Sequence, residues 1–225
     1  MHFHLPKPLH GWREFAGEVG IIVIGVLIAL GAEQVLEDWH WHNEVGNFRA
    51  AVDHEIGRNL DVWRIMMSVR PCVAHRLDDL GRLLAASTGG RQLHLLGPID
   101  RPVSYSSYYS VWDDKAEDVT GHLPLDARLK YAEIYDELHN NDVVRLDERE
   151  VWRSLDEFDQ PEPLDHADRM RLRGLLTRAR QLDEAERSNA AFITMLGARL
   201  GIHPISDADA PVLSTAFCKP LLATG

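Results

Sequence analysis

Residues 19–32 read VGIIVIGVLIALGA, fourteen positions with no charge and no proline, set between Glu18 and Glu33. A helix that crosses a bilayer needs about 20 apolar residues. The run approaches that length when Phe15, Ala16 and Gly17 are added before it and Val35 and Leu36 after it. Its apolar side chains lie on all sides, which leaves no polar face for water. Trp12 precedes the run, and Trp39 and Trp41 follow it. A helix rises about 40 Å from Trp12 to Trp39, close to the thickness of a bilayer with its headgroups. Tryptophan at both edges reads as an interfacial belt. The expectation is a transmembrane helix over residues 11–38. A cleaved signal peptide competes with it, Ala29 and Gly31 supplying small residues before a cut. Against cleavage stand the long leading segment, its Glu14 and Glu18, and a helical pattern that runs straight past the cut.

Lys7 and Arg13 precede the span, and Glu33, Glu37, Asp38 and Glu44 follow it. Lysine and arginine favour the cytoplasmic side. Residues 1–10 are therefore expected in the cytoplasm, and residues 39–201 as an extracytoplasmic domain, periplasmic in a bacterium. At 100° per residue, Glu18, Gly25, Ala29 and Ala32 share one side of the span, with Glu33 at its border. Gly25 and Ala29 form a pair of small residues four apart, which lets two helix backbones approach closely. Glu18 has two readings: it snorkels to the cytoplasmic interface, or it titrates inside a helix bundle.

Beyond the span the chain reads as helix throughout. Val45, Phe48, Val52, Ile56, Leu60, Trp63 and Met67 recur at steps of three and four, an amphipathic stripe rising from the membrane. Pro71 ends or bends it. Val73, Leu77, Leu80 and Leu84 define a second helix that stops at Thr88-Gly89-Gly90. A connecting segment runs from Arg91 to Ser107, broken by Gly97-Pro98 and Arg101-Pro102. Tyr105, Tyr108, Tyr109 and Trp112 form a half-buried packing cluster, and a short helix through Asp118 ends at Gly121. Leu125, Leu129, Ala132, Tyr135 and Leu138 start the next helix, with a kink at Asn140-Asn141-Asp142 before Val151, Leu155 and Phe158. Pro161 and Pro163 break it. Asp165 caps a last long helix, and Gly201 closes it. Residues 202–225 form a proline-punctuated tail packed on the domain. No alternating strand pattern appears, so the fold class is all-α: an N-terminal transmembrane helix continuing into an extracytoplasmic helical bundle.

The 225 residues are 45% hydrophobic and carry a net charge of −11. That is enough apolar material for a packed domain. The negative charge excludes a nucleic-acid partner, whose binding surface would be basic. Two cysteines, Cys72 and Cys218, are too few for a zinc site but sufficient for one disulfide in an oxidising compartment. An alternative reading places Cys72 at a helix start, where the backbone dipole activates a thiol.

Twelve histidines raise the question of metal. His40 and His42 are two apart and diverge on a helix. Glu37 and His40 have the Glu-x-x-His spacing of a carboxylate di-metal bundle. Asp136 with His139 is the nearest second copy, and Glu55 is a loose third candidate. No zinc-protease, nucleophile-elbow or phosphate-loop motif occurs, and no cofactor is implied. Acidic runs such as Asp113-Asp114 and Asp147 to Glu150 read as solvated helix faces.

The stretch GEVGIIVIGVLIALGAEQ, preceded by Lys7-Pro8-Leu9-His10-Gly11-Trp12-Arg13-Glu14, resembles the N-terminus of a group of uncharacterised proteobacterial single-pass inner-membrane proteins. It is also similar to the GE-x-x-x-x-x-IG-x-LIAL segment of a wider bacterial family. The resemblance covers residues 5 to 42, and Pro71-Cys72-Val73-Ala74-His75-Arg76-Leu77 fits the same group loosely. It implies an inner-membrane anchor with a helical extracytoplasmic domain and carries over no catalytic residue.

Together these readings point to a non-enzymatic, membrane-anchored subunit. Its span pairs with a second copy or a membrane-protein partner through Gly25, Ala29 and Ala32. The alternatives are a proton or ion path using Glu18, and a di-metal helical enzyme.

Overall fold

The computed structural model describes residues 11–91, 93–115, 117–159, 163–206 and 215–223. The expected cytoplasmic segment 1–10, with Lys7, lies outside them, as does Pro161. Six helices follow in chain order: α1 (Trp12–Ser68), α2 (Arg70–Thr88), α3 (Ser110–Asp113), α4 (Glu117–Gly121), α5 (Leu125–Asp156) and α6 (His166–Leu200). No strand occurs among the described residues.

α1 holds 57 residues, about 85 Å of helix. Its first half is long and apolar enough to cross a membrane, and none of that apolar stretch is buried. From Val52 onward the same helix presents one face to a core: Val52, Ile56, Leu60 and Trp63 are all buried. No break separates residues 11–38 from the start of the domain at 39.

α1 ends at Ser68 and α2 begins at Arg70, with Val69 as the single residue between them. Pro71 is the second residue of α2, where a missing N–H costs least. α2 closes at Gly89, and Gly90 takes a φ of 73°. Asp165 caps α6 through a reciprocal pair: its Oδ1 accepts from the Asp168 amide at 2.8 Å, and its own amide donates to Asp168 Oδ2 at 3.0 Å. Gly201 ends α6 with a left-handed φ of 75°.

α5 and α6 form a hairpin, and α6 touches α1, α2 and α5. The apolar interior falls into two clusters along it. The proximal core, nearer the unpacked half of α1, joins Ile56 and Trp63 of α1 to Ile134, Tyr135 and Leu138 of α5 and to Ile193 and Leu196 of α6. The distal core joins Val73, Leu77 and Leu80 of α2 to Trp152 and Leu155 of α5, Leu172 and Leu176 of α6, and Phe217, Leu221 and Leu222 of the tail. α1 and α2 therefore lie one after the other along α6, making one broken rod of a three-helix bundle.

Two long connections are tied down on the bundle. Residues 91–109 return from the distal to the proximal end. The Ile99 amide donates to Asp159 Oδ1 at 2.8 Å, and Asn59 brackets the Tyr108 backbone with bonds of 2.6 and 2.8 Å. At the tail, Asp79 Oδ2 accepts from the amides of Leu221 and Leu222, and Arg76 donates to the carbonyl of Phe217 at 2.7 Å.

Four expectations need correction. α5 continues as one helix through Asn141, whose side chain is fully buried and whose Oδ1 accepts from Asn189 of α6 at 2.8 Å. A bond across to α6 replaces the local backbone competition by which asparagine disrupts helices. Leu125 and Leu129 are not core: they are 59% and 60% exposed, the buried face starting instead at Tyr131 and Ile134. Glu148 is not on a solvated face but 1% exposed. The short helix near Asp118 is two helices, α3 and α4, rather than one. The Tyr105–Trp112 cluster matches its expectation in part, with Trp112 buried and stacked on Tyr135 at 5.1 Å.

Candidate functional site

Two regions carry unusual chemistry: the unpacked half of α1, and an ionic layer where α1 meets α2.

In the first region, Gly25, Ala29 and Ala32 are exposed, and a Cβ built on Gly25 meets nothing within 4 Å. The face is therefore open to another helix. Glu18 and Glu33 are exposed, and neither pairs with another described residue. Trp12 and Trp39 are 79% and 67% exposed. Trp41 differs, since it stacks on His122 at 3.9 Å with nearly parallel rings. That stack joins the end of the apolar half of α1 to the turn before α5, so the base of the bundle starts within one turn of Trp39.

The second region lies between the two apolar cores. Arg70, the first residue of α2, is 1% exposed. Its Nη1 donates to Glu148 Oε1 of α5 at 2.7 Å and to Asp183 Oδ1 of α6 at 3.3 Å. Its Nη2 lies 3.5 Å from Glu186 Oε2 of α6. Arg187 closes the rim, its Nε on Asp183 Oδ2 at 2.9 Å and its Nη2 on the Arg70 carbonyl at 3.0 Å. The second buried guanidinium, Arg145 of α5, pairs with Asp142, donates to Ser107 Oγ at 2.6 Å and lies over the Trp63 ring.

The electrostatics follow from burial. Taking a charge out of water is costly unless partners replace the solvent. Burial alone would lower the Arg70 pKa, but Glu148, Glu186 and Asp183 together hold it above its ordinary value. Arg145 is lowered by burial, which Asp142 only partly offsets. Glu186 is 0% exposed, and neither of its carboxylate oxygens has a hydrogen-bond partner. Burial pushes it up to about 7; Arg70 pulls down and the Glu148 charge pushes up.

Cys72 and Cys218 are joined in a disulfide that ties α2 to the tail across 146 positions of sequence. This replaces the activated-thiol reading of Cys72. The di-metal candidates stay apart in role. Glu55 spends Oε1 on the Tyr135 hydroxyl at 2.7 Å and Oε2 on Ser110 and the Val111 amide. His139 faces Asp113 at 3.2 Å and the Tyr109 ring. Glu37 and Asp136 are exposed, and the His40 ring lies beside Trp41. Among the described residues, no three His, Cys, Asp or Glu side chains are grouped to hold an ion.

Sequence reasoning missed the ionic layer, although a signal was present. Glu186 lies four residues after Leu182 and seven before Ile193, and Arg145 lies seven after Leu138. These are charges in register with an apolar stripe, and that register marks a buried charge.

Set against known proteins, the chain matches no family model, no curated protein and no solved structure.

Proposed function

We propose that this protein is a single-pass inner-membrane subunit that holds a rigid helical bundle in the periplasm. It acts by assembly rather than by chemistry, and pairs with a second copy or a membrane-protein partner through Gly25, Ala29 and Ala32. One observation carries the reading: α1 is a single helix whose apolar first half is unburied among the described residues and whose second half is core. Exposed on all sides, Ile21, Ile22, Leu27, Ile28 and Leu30 would be unfavourable in water and are favourable in lipid. Because no break separates anchor from domain, a contact made in the bilayer fixes the bundle's position outside it. The disulfide suits an oxidising compartment, and the charge asymmetry around the span suits an N-terminus in the cytoplasm.

Gly25→Leu tests the pairing face. Among the described residues, a Cβ at that position meets nothing within 4 Å beyond its own helical turn, so the substitution leaves the fold intact and keeps the span apolar. Native mass spectrometry of the detergent-extracted protein should show the wild-type assembly reduced to a monomer, with insertion unchanged. An assembly that survives Gly25→Leu rules this face out.

A further inference from the structure

We propose that the ionic layer is a proton-operated joint, in which Glu186 carries a proton while α2 and the tail are closed on the α5–α6 hairpin. The inference concerns the bundle alone and does not depend on the pairing of the span.

The pairing of the buried groups favours a proton on Glu186. Three carboxylates, Glu148, Asp183 and Glu186, face two fully buried guanidinium groups, Arg70 and Arg145. At the rim stand Asp142, Arg187 and Arg149; Arg187 bonds to Asp183, and Arg149 acts on Arg145 and bonds to Ser104. Arg70 directs its short bond to Glu148, and Arg145 is turned toward Asp142 and Ser107. Glu186 is left with one ion-pair contact, to Arg70 at 3.5 Å and already shared with two other acids, while Arg145 acts on it only from beyond contact distance. A buried, unpaired carboxylate neutralises rather than staying charged.

Every element packed there is accounted for. α2 contributes Arg70; α5 contributes Arg145 and Glu148, with neutral Asn141; α6 contributes Asp183 and Arg187 beside Glu186 itself. α1 offers the apolar Trp63 and Met66, both touched by Arg145. The rise of Glu186 to about 7 agrees with this geometry.

The layer coincides with the one-residue break between α1 and α2. α1 and α2 are joined only through Val69, and Pro71 removes one backbone donor from the join. The body free to move is α2 with the tail, which the disulfide and Asp79 make one unit. Opening the joint exposes Glu186 to water and returns its carboxyl to the ordinary range near 4.5.

The sign follows from linkage. The open state holds the Glu186 proton less tightly than the closed state. Between about 4.5 and 7, opening therefore becomes easier by up to about tenfold per pH unit, and above about 7 the effect levels off. The joint is tight in acid and loosest from neutrality upward.

Hydrogen exchange of the full-length protein in detergent, corrected for intrinsic rates, tests this on the α2 amides. The opening equilibrium should rise about fortyfold from pH 5 to pH 7 and change only about twofold from 7 to 8. Glu186→Gln, which keeps the shape and cannot ionise, should be flat. A flat wild-type profile, or an unchanged slope in Glu186→Gln, overturns the proposal. Infrared difference spectra of the wild-type protein give a readout independent of the variant's folding. A buried protonated carboxyl band should be present at pH 5.5 and gone at pH 9, and its absence at pH 5.5 also overturns the proposal. Glu148→Gln removes the nearest like charge and should lower the midpoint by a pH unit or more; an unmoved midpoint contradicts the assignment to this layer.

Discussion

The two apolar cores of the bundle are built from the same hairpin, α5 and α6, and completed differently. The proximal core is completed by α1, a single helix of 57 residues. Its polar groups are paired across helices, as Tyr131 with Asp53 and Tyr135 with Glu55. The distal core is completed by α2 and a tail segment 146 positions away from it in sequence. That tail segment is short, its helical turn being only Thr215–Cys218, and this is the half that carries the disulfide. The covalent tie is found where a short segment, rather than a long helix, completes the core.

That difference can be broken most strongly at the bridge. Replacing both cysteines, as Cys72→Ser with Cys218→Ser, should cost up to about 5 kcal/mol in the chain-entropy model. The loss should fall unevenly: hydrogen-exchange protection disappears first in α2 and persists in the proximal half of α1. Equal loss in both halves would show a single core. Next in size is Arg70→Met, which strands Glu148 and Glu186 without their shared cation, Asp183 keeping Arg187. Removing one partner of a buried ion pair costs about 3–5 kcal/mol, measured as a lower midpoint in urea. Adding Glu148→Leu and Glu186→Leu should recover most of that loss; a triple variant as unstable as the single one would mean that packing, not charge, sets the cost. The smallest effect is expected at Asp165→Ala, which removes the reciprocal cap of α6 for about 1 kcal/mol. Because α6 enters the distal core first, this loss should appear as fraying of the amides around Arg169 to Leu172, with Ile193 unaffected.

How much was legible in the sequence differs along the same division. The helix ends were legible wherever a residue has one local use: Pro71 after the break, Gly89 at the end of α2, Asp165 and Gly201 at the ends of α6. The apolar stripe of α1 was legible because Val52, Ile56, Leu60 and Trp63 keep helical spacing. The stripe of α5 was misplaced at its start, since Leu125 and Leu129 have the spacing of core residues and lie on the outer face. Spacing tells which residues share a face, not which face is covered. The ionic layer was not legible as a group. Arg70, Glu148 and Glu186 are separated by 78 and 38 positions and meet only because α2, α5 and α6 pack together at that level. Asn141 was read by its local tendency to break helices, whereas its partner Asn189 is 48 positions away.

Both halves hang on α1 if its first half remains in the bilayer. The intact mass of the protein recovered from the membrane fraction of cells making the native chain tests this most directly. The account predicts the full 225-residue chain, retained in the membrane after alkaline washing. A shorter chain beginning near residue 30, released into the soluble fraction, would make the apolar segment a signal sequence and contradict the anchored bundle.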